Sequence, residues 1–297
     1  MVILGIDIGG TNTRLGMVDS SLNVTNFEKV SSELIQGDDS AALLAAFILN
    51  YIARHGVEPD CVSIGFPSSL DVDRKRLICT PNMKGFDDLA IVEVMEKLLG
   101  LKVVVERDVN LLFRRDKMVM NLPDKGIIIA VYAGTGIGNV ICFDGRIILG
   151  RNAGAADLGH VATFSSDRVC GCGNVGCVET VVSGRRLREI RDELYPDCDM
   201  EDLFTRHASD EALKRFVDKL AIAIAIEISI LDPEYLILGG GVLNMKGFPI
   251  EAFEMKLRDV IRKPNPSENL RIRYSDGDAT SGVTGAAIYA MERLTGN

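Results

Sequence analysis

Four side chains in one short stretch have the types and spacing to hold a metal. His160, Cys170, Cys172 and Cys177 read H-x9-C-x-C-x4-C. One imidazole and three thiolates form the donor set of a closed, tetrahedral zinc site. Gly171, Gly173 and Gly176 let a short loop wrap the ion. A complete donor set leaves no open position, so the zinc is expected to be structural and to fix the loop carrying Asp157 and Glu179. Cys61, Cys79, Cys142 and Cys198 show no ligand spacing and read as small apolar packing residues.

Three glycine-rich loops form a second group: Asp7-Ile8-Gly9-Gly10-Thr11, Gly134-Thr135-Gly136-Ile137-Gly138 and Gly239-Gly240-Gly241. Glycine lets backbone N–H groups close around phosphate oxygens, although any one such loop reads equally well as a tight turn. The chain has no GxxxxGK[ST] motif. GTGIGN lacks the third glycine of GxGxxG, and a strand follows it where a dinucleotide fold needs a helix. If these loops bind phosphate, they do so from hairpins. Asp7 suits the hydration shell of a Mg²⁺ ion, or caps its turn. Asp108, which ends the run LKVVVERD, is a candidate general base or the N-cap of the helix that follows.

The elements that must position these groups alternate between strand and helix. Strands are predicted at 2–8, 14–19, 61–67, 101–108, 126–134 and 234–242, with 139–145 as the hairpin partner of 126–134. Helices are predicted at 40–54 with Ser40 as N-cap, at 87–100, at 210–231 and at 283–294. This pattern defines an α/β protein. ILGIDIGGT (3–11) and IIIAVYAGT (127–135) also match each other, which points to a duplicated α/β domain with one glycine turn per half. The expected division is a smaller domain at 1–115, completed by the helix at 283–297, and a larger one at 116–282 carrying the zinc loop.

The chain has 297 residues, 47% hydrophobic and 25% charged, with a net charge of −9. It is globular, and it lacks the basic face that a nonspecific nucleic-acid binder needs. The greasiest stretch meets Glu227 too early for a membrane span, so neither nucleic acid nor membrane is an expected partner. The opening MVILGIDIGG has no secretory pattern, and the crowded cysteines suit a reducing compartment, so a cytoplasmic location is expected.

DIGGT, ERD, GTGIG, LGHV with CGCGNVGCVE, and LGGGV occur in the order that resembles the ROK family of sugar kinases. The resemblance implies an actin/hexokinase-like (ribonuclease H-like) fold, with two duplicated α/β domains around a central cleft. It also implies a homodimer using ATP, Mg²⁺ and structural Zn²⁺. GFPSSLDVDRKRLICTPN, ERDVNLL and the stretch Asp278 to Gly282 are similar to the members that phosphorylate D-allose. The implied reaction is transfer of a phosphoryl group from ATP to the 6-hydroxyl of an aldohexose. Glucose, mannose, fructose and N-acetylmannosamine are the alternative substrates, and a non-catalytic sugar-sensing regulator is the alternative role.

The resemblance makes Asp108 the catalytic base. It makes Asn82, Arg107, Asp108, Asp157, His160 and Glu179 the sugar-binding set. Asp7, Gly9, Gly10, Thr11, Asn12, Thr13, Gly134, Thr135, Gly136, Gly138, Gly239, Gly240 and Gly241 become the nucleotide-binding set. Two departures stand out. Arg107 replaces the usual asparagine, offering donors where an amide both donates and accepts; alternatively it turns away to pair with an acid such as Glu106. AADLGH stands where the family has GEIGH, so Asp157 is shorter than the usual glutamate and Ala156 replaces glycine.

Overall fold

The computed structural model describes residues 1–81, 83–163 and 166–296, which form two contact units. The first unit comprises 1–122, 149–155 and 277 onward. Its elements are β1 (Val2–Ile8), β2 (Asn12–Asp19), β3 (Val24–Ser31), α1 (Ser40–His55), β4 (Cys61–Phe66), β5 (Ser69–Leu70), β6 (Leu77–Cys79), α2 (Ile91–Leu99), β7 (Val103–Arg107) and α3 (Asp108–Val119). The second unit, 123–148 and 156–276, contains β8 (Ile127–Ala133), β9 (Ile137–Phe143), β10 (Arg146–Ile147), α4 (Glu179–Val182), α5 (Gly184–Leu194), α6 (Leu203–His207), α7 (Glu211–Leu231), β11 (Tyr235–Gly239), α8 (Ile250–Val260) and β12 (Arg271–Tyr274). The chain then returns to the first unit as α9 (Ser281–Thr295).

The two main sheets have the same topology. Their strand orders are β3-β2-β1-β4-β7 and β10-β9-β8-β11-β12. In each, two hairpins make three antiparallel strands, and two further strands then add in parallel. β1 and β8, which contain the repeated sequence, occupy the same central place. This is the duplicated, actin/hexokinase-like α/β fold.

The central strands are apolar on both faces because helices cover both. On one side of the first sheet, Leu4, Ile6, Ile64 and Val105 pack with α1 and α2 residues such as Leu44, Ile48 and Met95. On the other, Ile3, Val18 and Val104 pack with Leu111 of α3 and with Val283, Ala287 and Tyr289 of α9. Each large side chain buried in this way contributes about 1.5–3 kcal/mol. The α9 backbone comes so close that a side chain at Gly5 would strike the Val283 carbonyl, and one at Gly285 would strike Leu111. In the second unit α7 runs through the core, burying Leu213, Phe216, Leu220, Ile224 and Ile228.

Several boundaries differ from the sequence expectation. Asp39, not Ser40, caps α1: its carboxylate accepts the Ala42 N–H at 3.2 Å, while the Ser40 hydroxyl donates to the Lys84 carbonyl. α2 begins at Ile91, because Asp87 spends its carboxylate on the Thr80 N–H at 2.6 Å and so holds the preceding loop. β7 stops at Arg107, making Asp108 the first residue of α3.

Candidate active site

Each unit carries candidate residues at the carboxyl ends of its parallel strands, the edge at which open α/β sheets take ligands. In the first unit these are the ends of β1 and β7. Asp7 lies 3.3 Å from the Arg14 guanidinium on β2. Burial raises its pKa, and the Arg14 charge offsets part of that rise. Its carboxylate sits against the first turn of α9, where any side chain at Gly282 would collide with it. A carboxylate with a single cationic partner at this range fits a hydrated divalent ion. Beyond Asp7, Gly10 and Thr11 form the exposed tip of the β1–β2 turn. The Gly9 N–H donates to the Asn12 carbonyl at 2.9 Å, and the Ser32 hydroxyl donates to the Gly9 carbonyl at 2.6 Å. Thr13 is buried, its hydroxyl 3.0 Å from that of Ser32, so it braces the turn from inside.

Asp108 accepts the Val109 N–H at 2.8 Å through Oδ1. The residue is half-buried, and burial of the carboxyl pushes its pKa up to about 7. The charge on Asp7 adds to the rise, and that on Arg107 opposes it. Asp108 therefore departs from an ordinary carboxylate, and it is poised nearer the range of a useful base.

Glu106, on the same turn, accepts the Arg107 N–H at 2.8 Å and the Asn110 side-chain amide at 3.0 Å. Its carboxylate also pairs with Arg74, 3.1 Å away on the loop between β5 and β6, and both side chains are buried. Neither Arg74 nor Glu106 was singled out as a site residue from the sequence. Asn82, expected in the sugar set, lies outside the described residues.

In the second unit the glycine turns follow neighbouring parallel strands, β8 and β11. The Gly134 N–H donates to the Gly136 carbonyl at 2.9 Å. The start of α5 closes on this loop: Gly184 N–H donates to the Gly134 carbonyl at 2.8 Å and Arg185 N–H to the Thr135 carbonyl at 3.1 Å. Gly240 has φ +94 and passes against the Ala133 backbone, while Val242 N–H donates to the Ala133 carbonyl at 2.9 Å. The two glycine turns and the start of α5 thus pack as one cluster. Gly138 and Gly241 lie on this same margin, and Gly239 packs on Tyr132. Glu179 opens α4 and accepts the Ile137 N–H at 3.1 Å, so its carboxylate is tied to the GTGIG loop.

Asp157 precedes the short turn Leu158–His160, and His160 is its last residue. Ala156, just before it, is held at φ +58, where a glycine would be unstrained. Asn139 of β9 fixes this turn, its side-chain carbonyl accepting the Leu158 N–H at 2.7 Å. The amide of Asn139 donates to Glu227 of α7 at 2.6 Å. Glu227 Oε2 is buried with no hydrogen-bond partner among the described residues, and burial pushes its pKa up to about 7.

His160, Cys170, Cys172 and Cys177 converge so that their ligand atoms all lie within 4.8 Å of one another. Cys170 Sγ is 3.4 Å from His160 Nδ1, and Cys172 Sγ is 3.7 Å from Cys177 Sγ. A tetrahedral ion with Zn–S of about 2.3 Å and Zn–N of about 2.0–2.1 Å sets its sulfurs about 3.8 Å apart and S···N about 3.6 Å. The donor set and its spacing fit zinc.

Comparison with known proteins decides the family. The ROK family pattern matches residues 3–293. The chain belongs to the ROK family. A glucokinase from Thermotoga maritima is 29% identical, covering 99% of this chain and 98% of that protein. An N-acetyl-D-glucosamine kinase from Vibrio cholerae is 29% identical over 81% of this chain and 84% of its own. The ROK glucokinase of Streptomyces griseus, solved with glucose and AMPPNP, superposes with a TM-score of 0.82 at 23% identity, covering 98% of this chain and all of that one. A ROK transcriptional regulator, a homologue of E. coli MLC, gives a TM-score of 0.83 at 22% identity over 98% of this chain and 78% of its own, so this ROK fold is common to kinases and regulators. Among the described residues no helix is long and apolar enough to cross a membrane.

Proposed function

We propose that this ROK protein is an ATP-dependent hexose kinase that phosphorylates the 6-hydroxyl of an aldohexose, with D-allose as the leading substrate. The observation that carries the reading is Asp108: a carboxylate at the sheet's carboxyl edge with its pKa raised to about 7, beside a second carboxylate suited to a metal. A regulator needs sugar affinity but no such base.

In this mechanism Asp108 accepts the proton of the 6-hydroxyl as its oxygen attacks the γ-phosphorus, and the bond from that phosphorus to the β-phosphate bridging oxygen breaks, leaving ADP. Asp7 would hold a hydrated Mg²⁺, which would supply charge neutralisation on the phosphates. The turns at Gly9 to Thr11, the GTGIG loop and Gly239 to Gly241 take the nucleotide phosphates, Gly10 and Thr11 offering backbone N–H groups from the first while the Gly9, Gly134 and Ile137 N–H groups hold the turns themselves, with Asn12 and Thr13 bracing the first loop. Asn82, Arg107, Asp157, His160 and Glu179 recognise the sugar hydroxyls. His160, Cys170, Cys172 and Cys177 hold a structural zinc. The expected assembly is a homodimer in the cytoplasm.

Arg107 supports allose over its C3 epimer glucose, since its donors suit a differently placed 3-hydroxyl. The test is coupled ADP release over glucose, mannose, fructose, allose and N-acetylated hexosamines, for wild type and Arg107→Asn. The expected result is a wild-type preference for allose and a fall of about ten- to hundredfold in its kcat/KM in the variant, with glucose falling less. A preference for glucose refutes allose and leaves the kinase standing. No turnover of any sugar, with sugar binding retained, favours the regulator.

A further inference from the structure

The loop between β5 and β6 places a buried arginine against the turn that carries the proposed base. Arg74 Nε lies 3.1 Å from Glu106 Oε1, and the two side chains are 6% and 4% exposed. The approach is off the N–H axis, and neither Nε nor Nη2 makes a hydrogen bond among the described residues. Nη1 donates to the Asp71 carbonyl at 3.4 Å, so the guanidinium is held by one long hydrogen bond and by the charge of Glu106, from a backbone at φ +57, a region uncommon for non-glycine residues. Breaking such a pair leaves an uncompensated buried charge.

What Glu106 does with its oxygen gives the pair its role. Oε1 accepts the Arg107 N–H and the Asn110 amide, at 2.8 and 3.0 Å. Arg107 is the N-cap just before Asp108, and Asn110 lies two residues after it in the first turn of α3. Resting on the reading of Asp108 as the base, we propose that Arg74 is a positioning residue: it neutralises Glu106, which clamps the start of α3, so that the base is fixed in place without Glu106 adding its charge to that of Asp7.

The charges near this turn come from several elements, α3 itself carrying the pair Arg115–Asp116 and the Arg114 that pairs with Glu292 of α9. Asp7 from β1, paired with Arg14, and Arg107 face Asp108. Tyr289 of α9, with Arg114 and Arg293, shares the surroundings of Glu106 and Arg74. Within that set Glu106 stands two residues before the base, and it and its partner Arg74 are both buried. Removing either partner leaves one uncancelled charge near Asp108, of opposite sign in the two cases.

The test is the pH profile of kcat in three variants of the full chain, with Asp108→Asn as the control. Arg74→Met should lower kcat by tenfold or more, leave the KM for ATP within about twofold, and move the acid limb up by about half to one pH unit. Glu106→Gln should move the limb down by a similar amount. The double variant should return it to within about 0.3 unit of wild type. Opposite shifts that cancel establish the proposal. Shifts absent or of one sign overturn it, as does thermal destabilisation of Arg74→Met with kcat and its pH profile intact. If Arg74→Met fails to fold, the acid shift in Glu106→Gln and its absence in Arg74→Lys decide alone. If Asp108→Asn turns over at the wild-type rate, the reading of the base has failed, which is a separate result.

Discussion

Asn139 of β9 reaches Glu227 of α7 at 2.6 Å, and the same amide group receives the backbone of Leu158. One side chain thereby links a sheet, a core helix and the turn that ends in His160. The link is polar on both sides, and on the helix side it leaves a carboxylate oxygen buried without a partner.

That arrangement makes stability depend on pH. The Glu227 pKa is raised from 4.5 to about 7, so the folded chain binds the proton more tightly than the unfolded one. Stability is then highest below about pH 4.5 on this account and falls as the pH rises through 7. The full cost above that range is about 3 kcal/mol. Glu227→Gln keeps the acceptor for Asn139 and removes the charge. Urea unfolding should show the variant more stable than wild type at pH 8, with the difference shrinking toward pH 5. Equal gains at both pH values would contradict the titration.

Asp108 obeys the same sign in its chemistry. With its pKa pushed up to about 7 it is protonated, and so unable to accept a proton, on the acid side of neutrality. The kcat/KM for the sugar should rise with pH through about 7 and level off above it. Asp108→Asn should lose this limb and lower kcat by roughly 10²–10⁴ while the fold and sugar binding persist. An unchanged rate would reduce Asp108 to a helix-start residue.

Zinc should be found at about one ion per chain by elemental analysis of the purified protein. Its removal by a strong chelator should lower the melting temperature as well as activity, because the energy of binding the ion is partly folding energy. Cys177→Ser should show both losses. Metal-free protein with unaltered stability would dismiss the site.

Ala156 stands in the left-handed region at φ +58 directly before the Leu158–His160 turn. Ala156→Gly should relieve about 1 kcal/mol of strain, less any gain in freedom of the unfolded chain. Chemical unfolding should register a net stabilisation of about 0.5 kcal/mol or more. A destabilised variant would mean that the alanine methyl contributes packing worth more than the strain.

The features legible in the sequence share a physical reason. β1 and β8 are apolar runs ending in glycine turns, and their likeness already showed the duplication that the two sheet orders display. His160, Cys170, Cys172 and Cys177 are local, within eighteen residues, so their spacing already pointed to the convergence that the fold displays. β3 was missed because VTNFEKVS is a half-exposed edge strand with no continuous apolar face. β12, RIRY, reads as a charged loop until Leu238 and its neighbours pair with it. Long-range polar pairs were equally hidden. Arg74 lies in DVDRKR, which looks like a solvated charge run, and only the fold brings it to Glu106. Glu227 was visible as a charge breaking an apolar run, but its partner Asn139 is 88 positions away.

The return of α9 to the first unit sets an order of assembly during synthesis. Val283, Ala286 and Tyr289 close the side of the first sheet that carries Ile3 and Val104, and Gly282 abuts Asp7. Until α9 leaves the ribosome, that side of the sheet is covered only in part, by α3, and Asp7 lacks its wall. Roughly 160 residues separate the end of α3 from α9, a wait of roughly 8–30 s at ordinary elongation rates. The second unit, continuous after Ala156 apart from its opening hairpin, is complete before then. The half translated first is therefore the half finished last, and the nascent chain carries a partly open apolar sheet face while the half with the His160 and cysteine cluster is already made.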